Sequence, residues 1–194
     1  MGIKHSWIAV QGLEPEQALE ALGMEIEEVI EPRYLPDGIG MAQLPDGWLL
    51  FVSDRKASAL EGKLNELAKF GPAIACDISE TVMCCEAHGY EAGQEIWSVA
   101  YDCEKGRYEL QITGSPPPQL DKIHREMRAK QEAEGGEGAD VDYMFDVPTK
   151  LAQSICGYMM GETEGADFRY AELRRIGGAS HKGPGFFARL FGRG

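Results

Sequence analysis

Apolar and polar residues alternate most regularly near the middle of the chain. Between residues 97 and 103 an apolar residue stands at every second position, and the same period returns over 108–112 after the turn residues at 104–106. A repeat of two residues is the period of a half-buried strand. Residues 95–113 are therefore predicted to form a β-hairpin.

Further strands are predicted from short runs that are rich in β-branched and aromatic residues. They lie at residues 6–10, 25–30, 39–44, 48–52, 74–78, 81–88 and 168–176, with a helix as the alternative for 25–30 and for 168–176. The stretch 74–88 is interpreted as one bent strand or as two. The run at 48–52 is apolar at every position, which alternating burial does not explain. It is therefore predicted to be a central strand that is covered on both faces.

Helices are predicted where apolar residues recur with the helical period of 3.6. They lie at residues 14–22, 57–70, 119–133 and 146–160. Pro15 and Pro148 each stand in a first turn, where proline is tolerated. Gly23 is expected to end the first helix, and Gly71 with the proline that follows it is expected to end the second.

The order of these elements predicts an α+β fold, with a mostly antiparallel sheet of about six to seven strands and the helices packed on one side. The order also suggests two similar halves, although no residue motif recurs at a fixed period. Residues 1–176 are predicted to form a single domain. Residues 177–194 are interpreted as a glycine-rich joint followed by a basic, aromatic tail.

The chain is strongly acidic, with 32 acidic and 19 basic residues and a net charge of −13. Such a surface repels phosphates, which argues against nucleic acid as a partner. Seven glutamates and no lysine or arginine lie between His5 and Pro32, and six further acidic residues fall within 80–104. The surplus either serves solubility alone or forms a face that steers a basic partner on to the protein.

The tail reverses the sign of the charge. From Gly165 onward there are six basic and two acidic residues, so the preceding 164 residues carry a net charge of −17. On a helix, the apolar side chains of the tail would share one face, and the predicted partner-binding residues are Phe186, Phe187, Arg189, Leu190 and Phe191. A stub this short suits docking on its own domain, on a second copy or on a partner better than docking on a membrane.

The cysteines and the N-terminus predict a cytoplasmic protein with reduced thiols. The five cysteines are odd in number and form no C-x-x-C motif, unlike the framework of a secreted disulfide-rich domain. The N-terminus lacks the apolar core of a signal peptide. No apolar run in the sequence is long enough to span a bilayer.

The sequence predicts neither a cofactor nor a metal ion, and it assigns no catalytic residue. Gly38 and Gly40 lack the third glycine of a dinucleotide fingerprint, and the sequence contains neither a phosphate-binding loop nor a G-x-S-x-G elbow.

The segment 84–88 is the most suggestive of chemistry. On a strand, Cys84, Glu86 and His88 would share a face. Cα atoms four residues apart on a strand are nevertheless roughly 13 Å apart, too far for Cys84 and His88 to form a nucleophile pair or to share one zinc ion. Nearby acidic residues would also oppose a thiolate. If the protein is an enzyme, its site is expected to be assembled in space from Cys84, His88, Asp102 and His124.

The leading hypothesis is a non-enzymatic cytosolic binding protein of bacterial type, whose acidic face engages a protein partner. One version is an inhibitor or immunity-type protein that neutralises a basic enzyme. Two alternatives stay open, namely an enzyme with the assembled cysteine, histidine and aspartate site, and a membrane-peripheral protein tethered by its tail. A concave pocket that joins two or more of the four candidate residues would favour the enzyme.

Overall fold

One antiparallel sheet of nine strands, flanked by four α-helices, makes up the part of the chain that the computed structural model describes, namely residues 4–30, 38–53, 58–163 and 168–176. The strands are β1 (Lys4–Gln11), β2 (Met24–Ile30), β3 (Ile39–Gln43), β4 (Trp48–Ser53), β5 (Ala73–Ser79), β6 (Cys84–Glu91), β7 (Gln94–Asp102), β8 (Leu110–Gly114) and β9 (Tyr170–Arg175). The helices are α1 (Pro15–Leu22), α2 (Ser58–Leu67), α3 (Gln119–Ala133) and α4 (Val147–Cys156). The spatial order of the strands is β2-β9-β3-β4-β1-β5-β6-β7-β8.

The predicted α+β class and the antiparallel sheet are confirmed, but the predicted count of six to seven strands is too low. Residues 74–88 contribute two strands, β5 and β6, because a turn around Met83, with a φ of 50°, separates them. The strands β2 and β9 pair with each other along most of their length, so the sheet also extends at its other end.

The prediction that the helices pack on one side is wrong. Along β4, Leu49 and Phe51 pack in one apolar core with α1 and α2, whereas Leu50 and Val52 pack in a second core with α3 and α4. Successive side chains of a strand point to opposite faces of a sheet. A strand that is apolar at every position therefore requires cover on both faces, as the run at 48–52 predicts, and helices on one side alone cannot supply it.

The two halves of the chain differ in element order. In the first half α1 follows the first strand, whereas in the second half the four strands β5 to β8 come in succession before α3 and α4. The last strand, β9, returns to the first half and lies between β2 and β3.

The hairpin predicted over 95–113 is confirmed, since β7 and β8 pair in antiparallel register from Trp97 with Gly114 to Tyr101 with Leu110. The helix predicted over 119–133 is also confirmed. The last predicted helix ends at Cys156 rather than at residue 160, because Gly157 adopts a left-handed conformation with a φ of 78°. The tail 177–194, with its predicted partner-binding residues, lies outside the described residues.

Because β4 is covered on both faces, shortening either of two neighbouring side chains of this strand is expected to lower the free energy of unfolding by a similar amount. Leu50 and Phe51 are fully buried on opposite faces, so changing either to alanine is expected to lower the free energy of unfolding by about 2–5 kcal/mol. On the edge strand β8, Ile112 is 48% exposed, so Ile112→Ala is the matched control and is expected to cost about 1 kcal/mol or less. Urea unfolding of the three variants checks this, and a large loss for only one of the two core variants would contradict the two-sided core.

Candidate functional site

The helices α1 and α2 cover only part of one face of the sheet, namely strands β1, β3, β4 and β9. On the same face, strands β6, β7 and β8 carry a polar surface that these helices leave uncovered. Strand β7 alternates between buried residues on the α3 and α4 side and partly exposed residues on the other. We call this surface the open face, and it consists of Glu86, His88, Tyr90, Glu95, Ser98, Asp102, Gln111 and Thr113. The sheet register places these residues together, for example by pairing His88 with Ser98 and Ser98 with Thr113.

At the centre of the open face, His88 is held between two carboxylates. Its Nδ1 lies 3.2 Å from Oε2 of Glu95, and its Nε2 lies 3.3 Å from Oε2 of Glu86. The phenol of Tyr90 donates a hydrogen bond of 3.1 Å to the same Oε2 of Glu95. Both ring nitrogens therefore face acceptors, an arrangement that suits a protonated imidazole with two N–H donors.

The carboxylates shift the titration of His88 upward. The hydrogen bond that His88 donates to Glu86 raises the pKa of His88 above its usual 6.5, with help from the charges of Glu95 and Glu86, although desolvation acts in the opposite direction. The same hydrogen bond lowers the pKa of Glu86. Burial, together with the charge of Glu95, raises the pKa of Tyr90 to about 12. At neutral pH the network therefore contains an ionised Glu86 and a neutral Tyr90 phenol.

A groove runs between this network and helix α2. Its cavity has a volume of about 260 Å³. The apolar lining comes from Ile8, Leu64 and Ala75, and the polar lining includes Asp77, Glu86 and His88. The groove follows from the alternation of side chains along β5 and β6, which brings Ala75 opposite His88 and Asp77 opposite Glu86 on this face.

One hydrogen bond within the groove orients a carboxylate, and another ties the end of α2 to the sheet. In the groove, the buried hydroxyl of Ser6 donates a hydrogen bond of 2.9 Å to Oδ1 of Asp77. The backbone N–H of Gly93, in the β6–β7 turn, donates a hydrogen bond of 3.0 Å to the carbonyl of Ala68, just after α2.

The structure brings together some of the four candidate residues and separates others. Cys84 and Asp102 are direct partners across β6 and β7, and both lie on the same side of the sheet as His88. His88 bonds to Glu86 and Glu95 and not to Cys84. His124 belongs to α3, which packs over the opposite face of the sheet.

The surroundings of Cys76, Cys84 and Cys156 favour the protonated form of these thiols. Desolvation and the neighbouring Asp102 raise the pKa of Cys84. The hydrogen bond of the Cys76 thiol to Cys85, together with burial, raises the pKa of Cys76, and burial raises that of Cys156 to about 11. A thiolate is the nucleophilic form of cysteine, so these surroundings do not activate it.

The sequence did not indicate several residues of this site. Glu95 reaches His88 because the register of β6 and β7 shifts between Gly89 and Tyr90, an irregularity with no signature in the alternation pattern. Asp77 and its donor Ser6 are 71 residues apart. The alternation over 84–88 did place Glu86 beside His88.

Within the described ranges, no three or more histidine, cysteine, aspartate or glutamate side chains are grouped so as to hold a metal ion. The helices of those same ranges are too short or too polar to cross a membrane. Comparison of the chain with protein families, curated proteins and solved structures finds no match.

The position of His88 predicts a linked pH dependence. Because its pKa is raised in the folded protein, its contribution to stability is fully present below pH 6.5 and is lost as the pH rises through the raised value. NMR titration is expected to give a pKa above 6.5 for His88 in the wild type and a lower one in Glu95→Gln. The exposed Glu16→Gln on α1 is the control, and a wild-type value at or below 6.5 would contradict the network.

The exposure of the five cysteines predicts that one of them reacts faster than the others with a thiol reagent. Cys103 is exposed and Cys84 is half-buried, whereas Cys76, Cys85 and Cys156 are buried. With an aromatic disulfide reagent on the native protein, Cys103→Ser is expected to remove the fast phase, and the buried thiols are expected to react only on unfolding. Cys156→Ala is the control that keeps the fast phase. A fast phase that survives in Cys103→Ser would contradict this assignment.

Proposed function

We propose that the protein is a non-enzymatic cytoplasmic binding protein whose open face captures a basic protein partner. The observation that carries this proposal is the set of carboxylates on a part of the sheet that the helices of the described residues leave uncovered, namely Asp77, Glu86, Glu95 and Asp102. In one version the partner is a basic enzyme, and the protein acts as an inhibitor or immunity-type protein that covers the enzyme's cationic cleft.

Negative charge supports this proposal both while a partner approaches and once it is in contact. The net charge of −13 attracts a cationic partner during diffusion, which raises association rates at low ionic strength. At contact, the carboxylates of Glu86 and Glu95 are already oriented by His88. Groups that are ordered before binding lose less conformational entropy when the partner arrives.

The same contacts favour binding over catalysis. Both ring nitrogens of His88 face carboxylates of the protein itself, so neither is free to take a proton from a substrate. The pKa of Cys84 is raised, and its cross-strand neighbour is an acid rather than a base. A nucleophile needs the opposite surroundings.

The thiols support a reducing location. Cys84 and Cys103 both place Sγ near the carbonyl oxygen of Val82, at 3.5 and 3.6 Å, and both are free thiols. Disulfides form and persist in secreted proteins and are rare in the cytoplasm, where thiols stay reduced.

Partner capture at two salt concentrations tests the proposal. The immobilised protein is incubated with lysate of its source cells at about 0.05 M and about 0.5 M salt, and any captured protein is then purified for direct binding. Wild type is expected to hold a basic partner at low salt and to release it at high salt. The double variant Glu95→Gln, Asp102→Asn is expected to bind the purified partner at least about tenfold more weakly.

The matched control removes two charges elsewhere. Glu16 and Glu20 are exposed on α1, so Glu16→Gln with Glu20→Gln has the same change in net charge far from the open face. Binding of the purified partner to this control is expected to stay near the wild-type level. Equal losses in both double variants, or capture that does not respond to salt, would overturn the proposal.

A further inference from the structure

We propose that the groove between α2 and the open face is a subsite for an arginine side chain of the partner. This inference rests on the proposed function, because it assumes that a basic protein docks on the open face. The aliphatic part of the arginine would lie along Leu64, Ile8 and Ala75, and its guanidinium would bridge Asp77 and Glu86.

The size of the groove suits one extended side chain. Its volume of about 260 Å³ is below the range of roughly 300–1,000 Å³ that is usual for pockets of drug-sized ligands. One wall is apolar, with Leu64 from α2 facing Ile8 and Ala75 of the sheet. Such a wall removes the methylene groups of a long cationic side chain from water while its charged end stays at the polar side.

The polar side presents two carboxylates at a spacing set by the sheet. Asp77 and Glu86 are direct cross-strand partners on β5 and β6, and directly opposed residues have Cβ atoms about 4.5–5.5 Å apart. Ser6 holds Asp77 through Oδ1, and His88 holds Glu86 through Oε2. Because a carboxylate has two oxygens, each group can also accept a hydrogen bond from a ligand.

Two adjacent carboxylates select arginine over lysine. The planar guanidinium presents five N–H donors in a fixed fork, so it can donate to both acids at once, whereas the ammonium of lysine is a compact and strongly hydrated charge. Tyr90 also lines the groove, but it lies four residues along β6 from Glu86 and so contacts the aliphatic part of the arginine rather than its guanidinium.

The probe is the blocked tripeptide acetyl-Gly-Arg-Gly-amide, followed by ¹⁵N NMR of the full chain. Backbone signals of residues 75–77 and 86–90 are expected to shift on titration. The citrulline tripeptide, in which a neutral urea replaces the guanidinium, is expected to bind at least about tenfold more weakly. Equal binding of the two peptides, or shifts confined to other regions such as α1 and β2, would overturn the assignment.

Two groove variants and one control localise the site. Asp77→Asn and Glu86→Gln are each expected to weaken binding of the arginine tripeptide about tenfold or more, because each removes one acceptor charge from the bridge. The double variant Glu16→Gln, Glu20→Gln is expected to bind it like the wild type. Unchanged binding in both groove variants would also overturn the assignment.

The outcomes separate this inference from the proposed function. If Glu95→Gln, Asp102→Asn weakens partner capture but the arginine tripeptide does not bind the groove, the proposed function stands and the arginine subsite is wrong. If the tripeptide binds as expected but no salt-sensitive partner is captured, the groove recognises arginine and the proposed function is wrong.

Discussion

Burial of the central strand on both faces is the constraint on which the rest of the structure depends. Every residue of β4 is buried, so each face of the sheet must carry its own apolar core. The chain meets this need with two helix pairs, α1 with α2 on one side and α3 with α4 on the other. Because burial of apolar area is the dominant favourable term in folding, neither pair can be omitted without exposing half of β4.

The two helix pairs do not cover equal areas, and this difference produces the candidate site. On the α3 and α4 side the apolar core extends across β6 and β7 to Val99 and Tyr101. On the other side the core ends near Tyr90, and the strands beyond carry carboxylates and hydroxyls. The groove lies at this boundary, where an apolar helix wall meets charged side chains. The location of the groove and the charge of its lining therefore have the same cause. On this face of the sheet, the residues at alternate positions change from apolar to polar between one strand and the next.

Much of the fold could be predicted from local pattern. Alternation indicated the hairpin, and the helical period indicated α3 with the bounds that the structure has. The run at 48–52 already implied cover on both sides, in conflict with the prediction of helices on one side. Side-chain period shows which residues share a face, but it does not show which strands are neighbours. For that reason Cys84, Glu86 and His88 could be grouped from the sequence, whereas the contact from Glu95 depends on a shift in register.

The placement of β9 has a consequence for how the chain is made. This strand fills the space between β2 and β3, yet it follows them by more than one hundred residues in the sequence. During synthesis, the edges of β2 and β3 that pair with β9 stay unpaired until the residues of β9 have left the ribosome, and such edges are prone to pair with other chains. The pairing of β2 and β3 therefore cannot be completed until β9 has been made. Nascent chains that end before β9 are expected to require chaperone protection.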